Sequence, residues 1–153
     1  SSAASDVYKR QGFMDKFLKK ITPTLYEDIY AACEWVVLAL NSSGYNADYT
    51  IESMKEIDRF IDEQSGENGI ISRNRGKILF SLGCYVGETV IRLYGGKWYA
   101  DDNDPKGEIN ASVKLDSNTV IFPIQRVIKR YQNGSEDSVY VYAYALSPDK
   151  TKL

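Results

Sequence analysis

Apolar positions recur every three to four residues from Leu25 to Leu93, at every second residue over 109–115, and again at helical spacing from Ile124 to Tyr131. Leu25, Ile29, Ala32, Cys33, Val36, Val37 and Leu40 keep one helical face apolar. Thr22 as N-cap and Pro23 as first helical residue open this helix, and Asn41-Ser42-Ser43-Gly44 closes it. Over 14–20 an extra amphipathic turn is predicted, with Phe17, Leu18 and Ile21 on its inner side. A second helix is predicted over 52–64, capped by Thr50 or by a Ser53-Met54-Lys55-Glu56 capping box. Met54, Ile57, Phe60 and Ile61 face inward; Glu56, Asp58, Asp62 and Glu63 face outward. The longest helix is predicted over 73–94, with Ile78, Leu79, Leu82, Val86, Val90 and Leu93 on one face and Gly95-Gly96 as its stop. Gly76, Gly83 and Gly87 lie inside it. Each costs about 1 kcal/mol against alanine in a helix interior, so close approach of another element is expected at each.

The period then changes. A short strand is expected over 97–100. Residues 108–115 alternate, with Ile109, Ala111, Val113 and Leu115 on one face, as in a half-buried strand. Asp116-Ser117-Asn118 turns the chain into a third strand over 119–122, which completes an antiparallel meander. Pro123 opens a helix to 132, with Ile124, Val127, Ile128 and Tyr131 inward and Arg126, Lys129 and Arg130 outward. Residues 135–146 fit a strand by the alternation of Val139, Val141 and the tyrosines. They also fit a helix by the acidic start Ser135-Glu136-Asp137. The expected fold class is α+β: N-terminal helices and a long central helix packed on a small antiparallel sheet, with a C-terminal helical segment.

Residues 1–11 carry no apolar period and resemble a translated sequencing-adapter fragment, as found at the ends of genes assembled from environmental DNA. On that resemblance, the natural start is expected at Met14. The expected organisation is a non-native or disordered segment over 1–13 and a single α+β domain over 14–153.

Composition narrows the chemistry. The chain has 153 residues, 43% hydrophobic and 26% charged, which suits one self-sufficient core. There is no histidine, which removes Ser-His-Asp and Cys-His catalysis and every His-containing zinc site. Cys33 and Cys84 are too few for a four-thiolate metal site and read as buried, reduced side chains. The net charge of −2 argues against a dedicated nucleic-acid binder. No apolar run reaches the roughly 18 residues of a membrane span, and no signal-peptide pattern opens the chain.

Four groups of residues remain as candidates. Glu88, beside Gly87, could act as a general acid or base, or pair with Arg92, Lys129 or Arg130. Asp101, Asp102 and Asp104 form an acidic loop. Set on an EF-hand template with Gly107 at position six, the loop places Lys106 fifth and Val113 twelfth. Neither is an oxygen ligand of the required kind, so no metal site and no cofactor are expected. Arg126, Lys129 and Arg130 form a basic stripe that could meet phosphate. Trp98, three residues before the acidic loop, could anchor a partner. The motif Gly83-x-x-x-Gly87 is flanked by Lys77, Glu88 and Arg92 and reads as packing within the domain rather than as a membrane dimer motif.

Leu82-Gly83, Tyr85, Gly87-Glu88, Gly95-Gly96, Trp98, Phe122-Pro123, Val127, Lys129-Arg130 and Asn133-Gly134 form a pattern in which residues 79–146 resemble a group of uncharacterised bacterial proteins. The resemblance implies a bacterial, cytoplasmic α+β domain, favours helix over 135–146, and transfers no catalytic residue. In size and class the chain is also similar to the immunity proteins of bacterial toxin systems. The expected function is a non-enzymatic interaction protein, with an immunity- or antitoxin-like factor as its leading form. Its expected partner is a basic protein, met by Trp98 and the 101–104 loop. An enzyme using Glu88 and a nucleic-acid accessory protein using the basic stripe are the alternatives.

Overall fold

The computed structural model describes the backbone of residues 2–149 and their side chains apart from those of residues 2–4 and 17–21. The element order is α1 Ser2–Ile21, α2 Leu25–Ser42, α3 Ser53–Gln64, α4 Arg75–Tyr94, β1 Gly96–Tyr99, α5 Gly107–Asn110, β2 Ser112–Leu115, β3 Val120–Ile121, α6 Pro123–Asn133 and α7 Val139–Ala145. The class is α+β. α4 is the hub: α2 and α6 pack along it, and β1, β2 and α7 also lean on it.

Helix ends follow side-chain hydrogen bonding. α2 begins two residues later than Thr22-Pro23 suggests, because Thr24 is its cap. The Thr24 hydroxyl accepts from the Glu27 N–H at 3.2 Å and donates to Glu27 Oε1 at 3.3 Å. Thr22 has leucine, not an acid, three positions on, so only Thr24 can close this reciprocal box. Thr50 accepts from the Ser53 N–H at 3.2 Å, while the alternative box at Ser53 does not form. Glu56 reaches the Asn46 N–H and Arg59 instead. α4 starts at Arg75, because Ile71–Arg73 is a separate 3-10 turn. Gly95, at φ +79°, ends α4 by donating to the Ile91 carbonyl at 2.7 Å. From Ser2 onward the first thirteen residues belong to α1, and the side chains from Ser5 to Lys16 are exposed.

The helix glycines divide. A Cβ on Gly83 would lie 2.6 Å from the Ile124 Cα, and one on Gly87 would meet the end of the Trp98 ring. α6 and β1 therefore approach α4 where the glycines allow it. Gly76 departs from expectation: a Cβ there meets nothing within 4 Å.

The sheet is the expected antiparallel meander in the order β1-β2-β3. Trp98 pairs with Val113 and Val113 with Ile121 on the face turned to α4; Lys97, Lys114 and Val120 form the opposite row. Only half of the alternating 108–115 segment is strand. Asp104 accepts from the Lys106 N–H at 2.8 Å and from Asn110 Nδ2 at 2.8 Å, which winds 107–110 into the turn α5. Ile109 is thereby 43% exposed, and the buried alternation begins at Ala111. At the C-terminal end, 139–145 is helix. Ser138 caps it by accepting from the Val141 N–H at 3.2 Å, and Ser135–Asp137 forms a 3-10 turn before it.

Two apolar clusters fill the interior. The larger joins α2, α3, α4, the sheet, α6 and α7 around Met54, Ile57, Leu82, Val86, Val113 and Val127. The smaller holds Ile29, Cys33, Cys84, Ala111 and Ile124. Both cysteines are buried free thiols. Burial, with the Glu88 charge second, pushes the Cys33 thiol up to about 12, and burial raises Cys84 as well. Both are then neutral in the native state. Because the unfolded chain ionises them near 9 and the folded chain does so higher, this contribution to stability falls as pH rises above about 9. In a colorimetric disulfide-exchange assay at pH 8, both thiols are expected to stay unreacted until denaturant is added. Rapid native labelling would show that the burial is wrong.

Candidate functional site

The charged residues that look most like a site turn out to hold the fold together. Arg130 was expected on the outer face of α6, but it is only 2% exposed. Its Nε donates to Asp58 Oδ1 at 2.9 Å, and its Nη2 donates to Asp62 Oδ1 at 2.6 Å. Asp58, expected on the outer face of α3, also accepts from the Val139 N–H at 2.9 Å, the Tyr140 N–H at 3.1 Å and the Ser138 hydroxyl at 2.8 Å. One carboxylate thus takes the free N–H groups at the start of α7 and neutralises a guanidinium from α6. Burial opposes the Arg130 charge, yet the hydrogen bonds from Asp62 and Asp58 hold its pKa above the ordinary value.

The basic stripe does not form as a surface. Arg126 pairs with Asp137 at 3.2 Å and stacks on the Tyr142 ring at 4.0 Å. Of the three cations, only Lys129 has no carboxylate partner among the described residues. Two internal pairings on one helix leave little for phosphate.

Glu88 has a side chain 22% exposed. Its Oε1 meets Arg92 Nε at 3.3 Å, and its Oε2 accepts from the Trp98 indole N–H at 3.4 Å. Arg92 in turn lies 3.6 Å over the Tyr49 ring. Tyr49 holds a left-handed backbone, φ +61°, while its N–H donates to the buried Tyr85 hydroxyl at 2.9 Å; that hydroxyl donates to Ser53 at 2.7 Å. Glu88 therefore sits in a chain of contacts that ties α4 to β1 and to the loop before α3. No second acid–base group shares its hydrogen bonds, and it lines none of the clefts described below.

The acidic loop is also engaged. Asp102 accepts from the Leu25 N–H at 2.7 Å, which pins the loop to the start of α2. Asp101 accepts from the Asn103 N–H at 2.9 Å. The bonds from Asn110 and Lys106 hold the Asp104 carboxyl below its ordinary pKa. These are bonds of turn formation. Trp98 is half-buried between the two apolar clusters, with its ring over Gly87, rather than projecting as an anchor. Among the described residues, no three Cys, Asp or Glu side chains gather as metal ligands would, no buried side-chain nitrogen or oxygen lacks a hydrogen-bond partner, and no helix is long and apolar enough to cross a membrane.

Concave features lie both at the acidic loop and away from it: a cleft of about 640 Å³ is lined by Leu25, Asp28, Asp102 and Asn103, and a smaller one by Asp102, Asp104 and Lys106. A groove of about 440 Å³ runs between the start of α4, α5 and α6. Leu79, Phe80, Ile124, Ile128 and Tyr131 give it an apolar lining, with Arg75 and Gly76 at one wall and Glu108 at the facing one. A second cleft, of about 370 Å³, shares Phe80 and Glu108 with it and continues past Asp28, Trp35 and Lys77. Sequence reasoning missed this trough. The available signal was Gly76, a helix glycine without a packing neighbour. Comparison of the chain with protein-family models, with curated proteins and with solved structures returned no match.

Proposed function

We propose that this chain is a non-enzymatic bacterial interaction domain of the cytoplasm that holds a protein partner in the α4–α6 groove. An immunity- or antitoxin-like factor is the form that its size and class suggest. The observation that carries the reading is the groove itself. It is apolar and open, its volume lies in the range of binding clefts, and a Cβ on Gly76 in its wall would meet nothing within 4 Å. The engagement of Glu88 with Arg92 and Trp98 supports a structural rather than a catalytic role. Because the three aspartates of the 101–104 loop are spent on backbone and side-chain donors, the contact surface is better placed at the groove than at that loop.

The test is Gly76→Leu. A leucine there has free space, and it exchanges the poorest helix former after proline for one of the best. Stability should stay level or rise slightly, since Gly76 is the second residue of α4 and the full helix-interior cost of glycine does not apply there. Capture of the partner from the source bacterium should nevertheless fall sharply, because the side chain fills the groove. A variant with Asp101, Asp102 and Asp104 changed to serine should keep the partner if it remains folded. Undiminished capture by folded Gly76→Leu would refute the assignment.

A further inference from the structure

The trough carries a cation that no carboxylate among the described residues holds. Beyond α1, four arginines are each held by a carboxylate: Arg59 by Glu56 and Glu63, Arg92 by Glu88, Arg126 by Asp137, and Arg130 by Asp58 and Asp62. Arg73 and Arg75 are exposed and have no such partner among the described residues. Arg75 lines the trough beside Gly76, and Arg73 stands two residues before it. The opposite end carries Glu108 and Asp28, with Lys77 over the Trp35 ring. Glu108 borders both clefts and Asp28 lines the second, where burial and the charges of Glu27 and Asp102 raise the Asp28 pKa. Between the ends lie the apolar side chains of Leu79, Phe80, Ile124 and Ile128.

Resting on the interaction reading, we infer that the trough takes an extended peptide segment of the partner protein in which an aspartate or glutamate lies next to a bulky apolar residue. The carboxylate meets Arg73 and Arg75, whose planar guanidinium groups can grip it through paired N–H donors. The apolar residue enters the space beside Gly76 and covers Phe80, Ile124 and Ile128. The continuity of the two clefts past Phe80 favours an extended chain over a compact small molecule. The charge of the contacting segment is thus opposite to that expected of a partner for the acidic loop.

The inference can be tested by panning random dodecapeptides on phage against the immobilised full chain, after subtraction on Gly76→Leu. Enriched peptides should pair an acidic residue with Phe, Leu, Ile or Trp. A synthetic peptide of that kind should bind about tenfold more weakly to the Arg73→Glu, Arg75→Glu double variant, as expected when a charge contact turns repulsive. Circular dichroism and melting of both exposed-site variants check that they remain folded. If the Gly76-dependent peptides are basic, or the double variant binds equally well, the acidic-segment inference fails while the groove remains a binding site. If no peptide depends on Gly76, the groove itself is overturned, and the interaction reading with it.

Discussion

Asp58→Ala is expected to destabilise the domain by about 3–5 kcal/mol, the cost of leaving a buried charge without its partner. The argument rests on what remains behind. Arg130 stays buried, with only Asp62 to neutralise it, and the two N–H groups that open α7 lose their acceptor. For a domain of this length the loss corresponds to a fall in Tm of roughly 10 °C or more. It should also loosen α7, which carries Tyr140, Tyr142 and Tyr144, so the near-ultraviolet dichroism of the tyrosines should weaken before the helical signal does. Asp58→Asn keeps one carbonyl acceptor and should cost less. A loss below about 1 kcal/mol for the alanine variant would mean that the Asp58–Arg130 contact does not hold α7 in place.

That contact also marks where a single sequence stops being informative. Strong periods were legible: α2, α4, α6 and the meander stand where the spacing of Ile, Leu and Val puts them, and the Gly95 and Gly134 stops hold because both glycines take positive φ at a helix end. Arg130 was misplaced because a helical pattern treats charge as outward. Its position is only about 60° around the helix from buried Val127, and what brings it inside is a carboxylate 72 residues away. The 108–115 alternation misled for a local reason, since Asp104 recruits two donors and winds the first half into a turn. The candidate site fared worst. Glu88, Trp98 and the aspartates are the residue types of function, yet their partners are internal. The groove, in contrast, is built from Leu79, Phe80, Ile124 and Ile128, whose spacing says only that they face inward.

Gly83→Leu should be the second large effect, at about 3 kcal/mol and near the upper end for overpacking. Even the Cβ would lie 2.6 Å from the Ile124 Cα, and a backbone atom cannot rotate away as a side-chain tip can. α6 would have to lift from α4, which disturbs Ile124 and Val127 in both apolar clusters. Chemical denaturation of Gly83→Leu beside Gly76→Leu makes the comparison internal: the same substitution in the same helix, strongly unfavourable at one glycine and neutral or favourable at the other. Equal effects would mean that helix propensity, not the approach of α6, governs both positions.

The central claim is that the α4–α6 groove, rather than Glu88 or the acidic loop, is the working surface. Its most direct test is photocrosslinking in the source organism, with a benzophenone side chain placed in turn at Phe80, in the groove, and at Asp102, in the loop. The account predicts a discrete adduct from position 80, abolished when Gly76→Leu is combined with it, and none from position 102. An adduct from position 102 alone, or one from position 80 that survives Gly76→Leu, would contradict it.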